Sequence, residues 1–153
     1  LLRDVCFLTL LIITFVYDLR YKIILSSLIW AGTFIGFLIN ILVLNFTVNS
    51  LLLGMALGGG FFLFQYVISS GKWIGGGDVR MGVMMGAWLG WQSTILALFI
   101  AYVLGALVGV ILLLFKKADG KTEVPFGTFL AIGTFLTIYY GNGLVNWYLQ
   151  LLK

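Results

Sequence analysis

The chain of 153 residues contains no histidine and a single cysteine, Cys6. Zinc and iron–sulfur sites are built from histidine and cysteine ligands, so metal chemistry through these side chains is excluded. The lack of histidine also removes the usual base for a serine or cysteine nucleophile. A Ser–Lys pair within Ser69-Ser70-Gly71-Lys72 is disfavoured, because a loop lysine lacks the burial that would activate it. Hydrolytic chemistry would therefore have to use carboxylates, lysines or water, and no metal or cofactor is expected.

Charged residues are also scarce, at 9% of the chain against 62% hydrophobic residues, whereas a soluble domain carries roughly a quarter charged residues. Apolar segments of about 20 residues, long enough to cross a bilayer, recur along the chain. This pattern predicts one all-α domain over 1–153, a polytopic membrane bundle of about six transmembrane segments. The fourth segment is short, so 79–115 is expected to be a bent pair or to begin in a loop within the membrane region. The segments are approximately 1–17, 26–45, 50–69, 79–91, 93–115 and 127–150.

The net charge of +4 does not indicate nucleic-acid binding, because the basic residues lie in short connections where they set membrane orientation. Every second connection between the apolar segments, counted from the first, carries basic residues. The connections in between, around 45–49 and 91–93, carry none. The positive-inside rule then predicts a cytoplasmic location, at the inner membrane, for the three basic connections. The same side receives Asp18, Asp78, Asp119 and Glu123, so the first two can meet. The basic residues of these connections are Arg20, Lys22, Lys72, Arg80, Lys116, Lys117 and Lys121.

Glycine recurs at every fourth position within several segments, which lines small residues along one helix face and predicts close helix packing. The sequence leaves open whether these faces also join two copies of the chain. The glycines are Gly32 and Gly36, Gly54 and Gly58, Gly82, Gly86 and Gly90, and Gly105 and Gly109.

Two aspartates lie where apolar segments meet connections: Asp18 ends the first segment, and Asp78 follows three glycines. A structural interpretation is that they pair with Arg20 and Arg80 or cap a helix. Alternatively, two neighbouring carboxylates share one proton and activate water. The glycine run before Asp78 is a plain connection, or it adopts positive φ and lets an extended substrate strand approach. These alternatives stay open on spacing alone.

Three segments resemble the type IV prepilin peptidase family. Gly75-Gly76-Gly77-Asp78 resembles its GxGD motif, which presenilin-like proteases share, and Asp18-Leu19-Arg20 resembles its first aspartate motif. The stretch 123–131, Glu-Val-Pro-Phe-Gly-Thr-Phe-Leu-Ala, is similar to the Pro-Phe-Gly-Pro segment that opens the last helix. Thr128 stands where the family's second proline is common, and Leu25 lies near a position that often carries proline.

The resemblance implies a membrane aspartic endopeptidase that removes the short basic leader of prepilins or pseudopilins at the cytoplasmic boundary. It implies Asp18 and Asp78 as the catalytic pair. The family's larger members also carry an N-terminal cytoplasmic domain with paired CxxC motifs, linked to methylation. This sequence does not contain those motifs, so peptidase activity is expected and methyltransferase activity is left unassigned. Pro125 and Glu123 could instead simply begin and cap the last helix. Residues expected to support the site are Gly75, Gly76, Gly77, Arg80, Glu123, Pro125, Phe126 and Gly127.

Two other functions remain open on the sequence alone. A small transporter or channel could use Asp18 and Asp78 to bind a cation or relay protons, as intramembrane acids often do. A structural subunit of a secretion machine that has lost activity is a further alternative, disfavoured by the presence of both aspartates. The sequence does not identify the particular pilin or the oligomeric state.

Overall fold

The structure, a computed structural model, describes residues 2–115 and 125–151, which form helices and, within those ranges, no strand. The backbone dihedral angles at Gly90 are not helical, and they interrupt the fourth helix there. The two parts of this helix, 76–89 and 91–114, form the bent pair that the sequence predicts. The expectation of about six helical segments is therefore confirmed. The helices are α1 Leu2–Tyr21, α2 Ser26–Leu42, α3 Val48–Ser69, α4 Gly76–Leu114 and α5 Phe126–Leu151.

The bend in α4 is stabilised by a buried side chain of α2. Gly90 has φ 72° and ψ 175°, which only glycine adopts readily. In an uninterrupted helix the carbonyls of Ala87 and Trp88 would accept hydrogen bonds from residues 91 and 92. Asn40 Nδ2 donates to both carbonyls instead, at 2.8 and 3.0 Å. Since an unpaired carbonyl is costly away from water, Asn40 makes the bend tolerable within the membrane region.

The predicted packing role of the glycines is confirmed between α3 and α4. A Cβ placed at Gly58 would contact the Gly82 carbonyl, and one placed at Gly86 would contact the backbone of Gly54, each closer than real atoms approach. The two helices therefore touch backbone to backbone, as small residues permit. The role does not extend along the whole pattern, because a Cβ at Gly109 would meet open space.

Two of the described helices have the length of a membrane span, and the bundle has the surface of a membrane protein. Val48–Ser69 and Gly76–Leu114 are long and apolar enough to cross a bilayer, and Ser26–Leu42 and Phe126–Gly141 are shorter apolar helices. Large apolar side chains such as Phe34 and Phe99 are 66% exposed on the outside of the bundle. Such surfaces are unfavourable in water and ordinary in lipid. The chain is therefore an all-α membrane helical protein.

One end of the bundle gathers the elements that the sequence singles out. The end of α1, the connection to α2, the start of α4 and the start of α5 meet there. Ile24 lies between them, because it borders both Gly77 of α4 and Gly127 of α5. The apolar core below this end includes the stacked rings of Phe7 and Trp88, whose centroids are 4.5 Å apart.

Candidate active site

Asp78 occupies the first turn of α4, which begins at Gly76, three residues before the predicted segment. Its Oδ2 accepts a hydrogen bond from the Gly75 N–H at 3.1 Å, and its own N–H donates to the Gly75 carbonyl at 3.1 Å. An acidic residue in this position satisfies an N–H that the helix leaves unpaired. The capping interpretation is thus confirmed for Asp78, whose side chain is nonetheless buried.

The glycine run before Asp78 does not adopt positive φ, so that expectation is wrong. Gly75 is extended, with φ −78° and ψ 153°, and Gly76 and Gly77 already belong to the helix. Within the described residues, the glycines with positive φ are Gly71 and Gly90. Within this run, Gly77 leaves room for a neighbouring side chain, because a Cβ at Gly77 would lie 2.8 Å from Ile24 Cβ. A Cβ at Gly76 would meet nothing within 4 Å.

Asp18 lies in the last turn of α1 and is bound by a distant part of the chain. Its Oδ2 accepts the Thr128 N–H at 2.7 Å and the Thr128 hydroxyl at 3.2 Å. Thr128 is the third residue of α5, where backbone N–H groups lack partners within the helix and attract anions. Gly127 makes the approach possible, because a Cβ there would lie 2.8 Å from the same oxygen.

The predicted alternative of local ion pairs does not hold. Within residues 2–115 and 125–151, neither aspartate has a lysine or arginine nitrogen within 4.0 Å. Arg80 donates to the Ser26 hydroxyl instead and so joins the start of α4 to the start of α2. Arg20 is exposed in the last turn of α1. Arg80 therefore joins α4 to α2 and does not neutralise Asp78.

The structure brings the two carboxylates into one buried site. Asp18 is 5% exposed and Asp78 is 8% exposed, and each lies within range of the other's charge. Ile24 fills the space beside them: a Cβ added at Gly77 would lie 2.8 Å from its side chain, and one added at Gly127 would lie 2.9 Å from it. Two buried carboxylates within range of each other's charge cannot both ionise cheaply, which favours a state with one of them protonated.

Phe126 belongs to an aromatic cluster beside the site. Its ring centroid lies 4.9 Å from that of Tyr102 and 5.9 Å from that of Phe62. The Tyr102 hydroxyl and the Gln65 side chain are hydrogen-bonded, with Gln65 Nε2 donating at 2.9 Å. The cluster joins α3, the second part of α4 and the start of α5, so Phe126 fixes where α5 begins.

The remaining predicted positions are consistent with a helix start. Pro125 lies directly before Phe126, the first residue of α5, where a missing N–H costs little. Glu123 lies outside the described residues. Leu25 precedes α2 and provides no side-chain cap. Among the described residues, no three His, Cys, Asp or Glu side chains are grouped to hold a metal ion.

Sequence reasoning missed the residues that surround the acids. In the sequence Thr128 is notable only as a departure from a family proline, yet it supplies two donors to Asp18. The sequence feature that could have pointed to Thr128 is its position in the first turn of a predicted helix, after a proline and a glycine. Ile24 and Tyr102 carry no comparable signal, because an apolar or aromatic residue in an apolar segment is expected to pack.

Comparison with known proteins agrees with the motifs. Residues 5–110, which include both aspartates, match the type IV leader peptidase family. A prepilin leader peptidase/N-methyltransferase of Stutzerimonas stutzeri is 31% identical over 138 residues, 87% of this chain and 47% of that protein. One of Pseudomonas aeruginosa is 37% identical over 90 residues, 59% of this chain and 31% of that protein. The chain spans about half the length of the curated relatives it matches, or less. No solved structure matches it significantly.

Proposed function

The chain belongs to the type IV leader peptidase family, and on that premise we propose that it is a membrane aspartic endopeptidase. Its substrates are prepilins or pseudopilins, from which it removes the short basic leader that precedes an apolar helix. One observation carries the proposal: buried Asp18 and Asp78, from different helices, lie within range of each other's charge and have no basic partner among the described residues. Within this proposal the chain forms a single peptidase domain.

The chemistry requires one proton shared by the two acids. The ionised carboxylate takes a proton from water while the water oxygen bonds to the scissile carbonyl carbon. The protonated acid gives its proton to the carbonyl oxygen, which forms a diol. When the C–N bond breaks, the first acid protonates the leaving nitrogen, and the second regains a proton from the diol. The reaction consumes one water and returns both acids to their starting state.

The proposed orientation puts this site at the cytoplasmic face of the inner membrane. Lys22 and Lys72 lie in the connections at the same end of the bundle as the aspartates, and basic connections favour the cytoplasm. A substrate with a basic leader and an apolar helix would then meet the carboxylates at the boundary between water and lipid. Gly75 and Gly127 keep side chains away from the acids, since a Cβ there would lie 3.6 Å from Asp78 Oδ2 and 2.8 Å from Asp18 Oδ2, respectively.

Cleavage of a pilin precursor by the purified, full chain in detergent or lipid nanodiscs tests the proposal. We expect wild-type protein to release the leader peptide, and Asp18→Asn and Asp78→Asn each to lower the rate by at least about a thousandfold, since neither can complete the proton cycle. Asp4→Asn is the matched control, because Asp4 pairs with Arg3 at the start of α1. It should cleave like wild type.

Two outcomes would contradict the proposal. Cleavage that survives either substitution would show that the pair is not the catalyst. Absence of cleavage by wild type, together with an ion flux in proteoliposomes that Asp18→Asn abolishes, would favour the transporter alternative.

A further inference from the structure

The two carboxylates are hydrogen-bonded unequally. Asp18 Oδ2 receives two donors from Thr128, a backbone N–H at 2.7 Å and a hydroxyl at 3.2 Å, and the Gly127 N–H is directed at the same carboxylate. Asp78 Oδ2 receives the Gly75 N–H at 3.1 Å, and the backbone N–H of Asp78 itself is also directed at this carboxylate. Hydrogen bonds donated to a carboxylate stabilise its ionised form, and more donors stabilise it more.

The positions of the two aspartates at helix ends do not offset this difference in hydrogen bonding. Asp18 lies at the N-terminus of α5 and Asp78 at the N-terminus of α4, so each is close to the positive end of a helix dipole. The charged group that faces Asp18 from another helix is Asp78, and no lysine or arginine of the described residues lies within 4.0 Å of either. Tyr102, from the second part of α4, faces Asp78. The two acids differ in their donors, since Asp18 receives the N–H and the hydroxyl of Thr128 beside the Gly127 N–H.

We propose that Thr128 is a positioning residue that holds Asp18 as the ionised member of the pair and thereby assigns the two roles. This inference rests on the proposed function. Asp18 then takes the proton from water and later gives it to the leaving nitrogen, whereas Asp78 gives its proton to the carbonyl oxygen and regains one from the diol. Both Thr128 donors point at one oxygen, so they also fix the orientation of the carboxylate.

The pH profile of cleavage tests this assignment. The acidic limb of kcat/KM reports the ionisation of the pair in the free enzyme. Thr128→Val keeps the shape of the side chain and the N–H but removes the hydroxyl. We expect its acidic limb to move to higher pH by about one unit, the tenfold change typical of a hydrogen bond to a charged group. Thr128→Ser, which restores the hydroxyl, should move the limb back towards its wild-type position.

Thr137→Val is the matched control. Thr137 is buried in the same helix, and its hydroxyl donates to the Gly133 carbonyl at 2.8 Å, within α5 and not to a carboxylate. We expect its pH profile to follow that of wild type. Thr128→Ala, which is smaller than valine, repeats the test if the valine variant does not keep its helical circular dichroism.

The outcomes separate this inference from the proposed function. A wild-type protein that does not cleave overturns both. Wild-type cleavage with acidic limbs that coincide in Thr128→Val, Thr128→Ala and wild type overturns the assignment alone. An equal displacement in Thr137→Val would also overturn it, because the shift would then follow from losing any buried hydroxyl of α5.

Discussion

Asp18 and Asp78 lie in the same site but are held in different ways. Asp78 is bound by Gly75, three residues before it, within the turn that begins its own helix. Asp18 is bound by Thr128, 110 residues away, at the start of another helix. The first arrangement forms wherever the glycine-to-helix turn forms. The second exists only when α1 and α5 are packed together, so Asp18 should be the more sensitive of the two to changes in tertiary structure.

Among substitutions that keep both aspartates, the largest expected effect comes from the long-range contact. Gly127→Ala would place a Cβ 2.8 Å from Asp18 Oδ2 and 2.9 Å from Ile24 Cδ1, so the carboxylate or the start of α5 must move. Because displacement of a reacting group by about 1 Å can cost a hundredfold in rate, we expect kcat for pilin cleavage to fall by about that factor. The measurement is cleavage at saturating substrate.

Gly143→Ala is the control for this prediction, since a Cβ there, in the same helix, would meet nothing within 4 Å. It should leave kcat unchanged. If Gly127→Ala cleaves as fast as wild type while remaining folded, the close packing of Asp18 against α5 is not needed for activity. That result would contradict the claim that Asp18 is more sensitive than Asp78 to changes in tertiary structure.

A smaller effect is expected from the local contact. Gly75→Pro removes the N–H that Asp78 accepts and fits the φ of −78° at this position. Loss of one hydrogen bond to an acid should lower kcat by about tenfold. Gly75→Ala keeps the N–H, and its Cβ would lie 3.6 Å from Asp78 Oδ2, an ordinary contact. An equal loss in the alanine and proline variants would contradict a role for this N–H.

The same contrast explains how much could be read from the sequence. The helical membrane class, the bent fourth helix and the convergence of the aspartates follow from the lengths of apolar segments, the spacing of glycines and the distribution of basic residues. Each of these is a local or additive property of the chain. The family motifs at 18–20 and 75–78 lie on helix ends, where their short-range context is already present in the sequence.

The residues around the acids could not be predicted in the same way, because they depend on packing between distant segments. Thr128 donates to Asp18 only because Gly127 leaves room for the carboxylate and Phe126 anchors the start of α5 against Tyr102. The positive φ expected for 75–77 is wrong for a related reason. Gly77 is needed for space, because a Cβ at this position would clash with Ile24. No special backbone angle is required.

The smallest effect on catalysis is expected at the bend of α4, about twelve residues from Asp78 and so about 18 Å along the helix. Asn40→Leu leaves the carbonyls of Ala87 and Trp88 without the donor they now have. We expect the free energy of unfolding to fall by about 1–3 kcal/mol, with kcat per folded molecule within about twofold of wild type. Thermal unfolding followed by circular dichroism, combined with cleavage at saturating substrate, measures both quantities.

Asn49→Leu is the control for the bend, because Asn49 is exposed in the first turn of α3 and its replacement should change stability by less than about 0.5 kcal/mol. A stability loss in Asn40→Leu without a matching loss of kcat would separate general weakening of the bundle from displacement of Asp18. A hundredfold loss of kcat in folded Asn40→Leu protein would instead mean that the bend itself positions the acids. The sensitivity assigned to the contact between Asp18 and α5 would then belong to the whole bundle, since α5 packs against α4 as well as against α1.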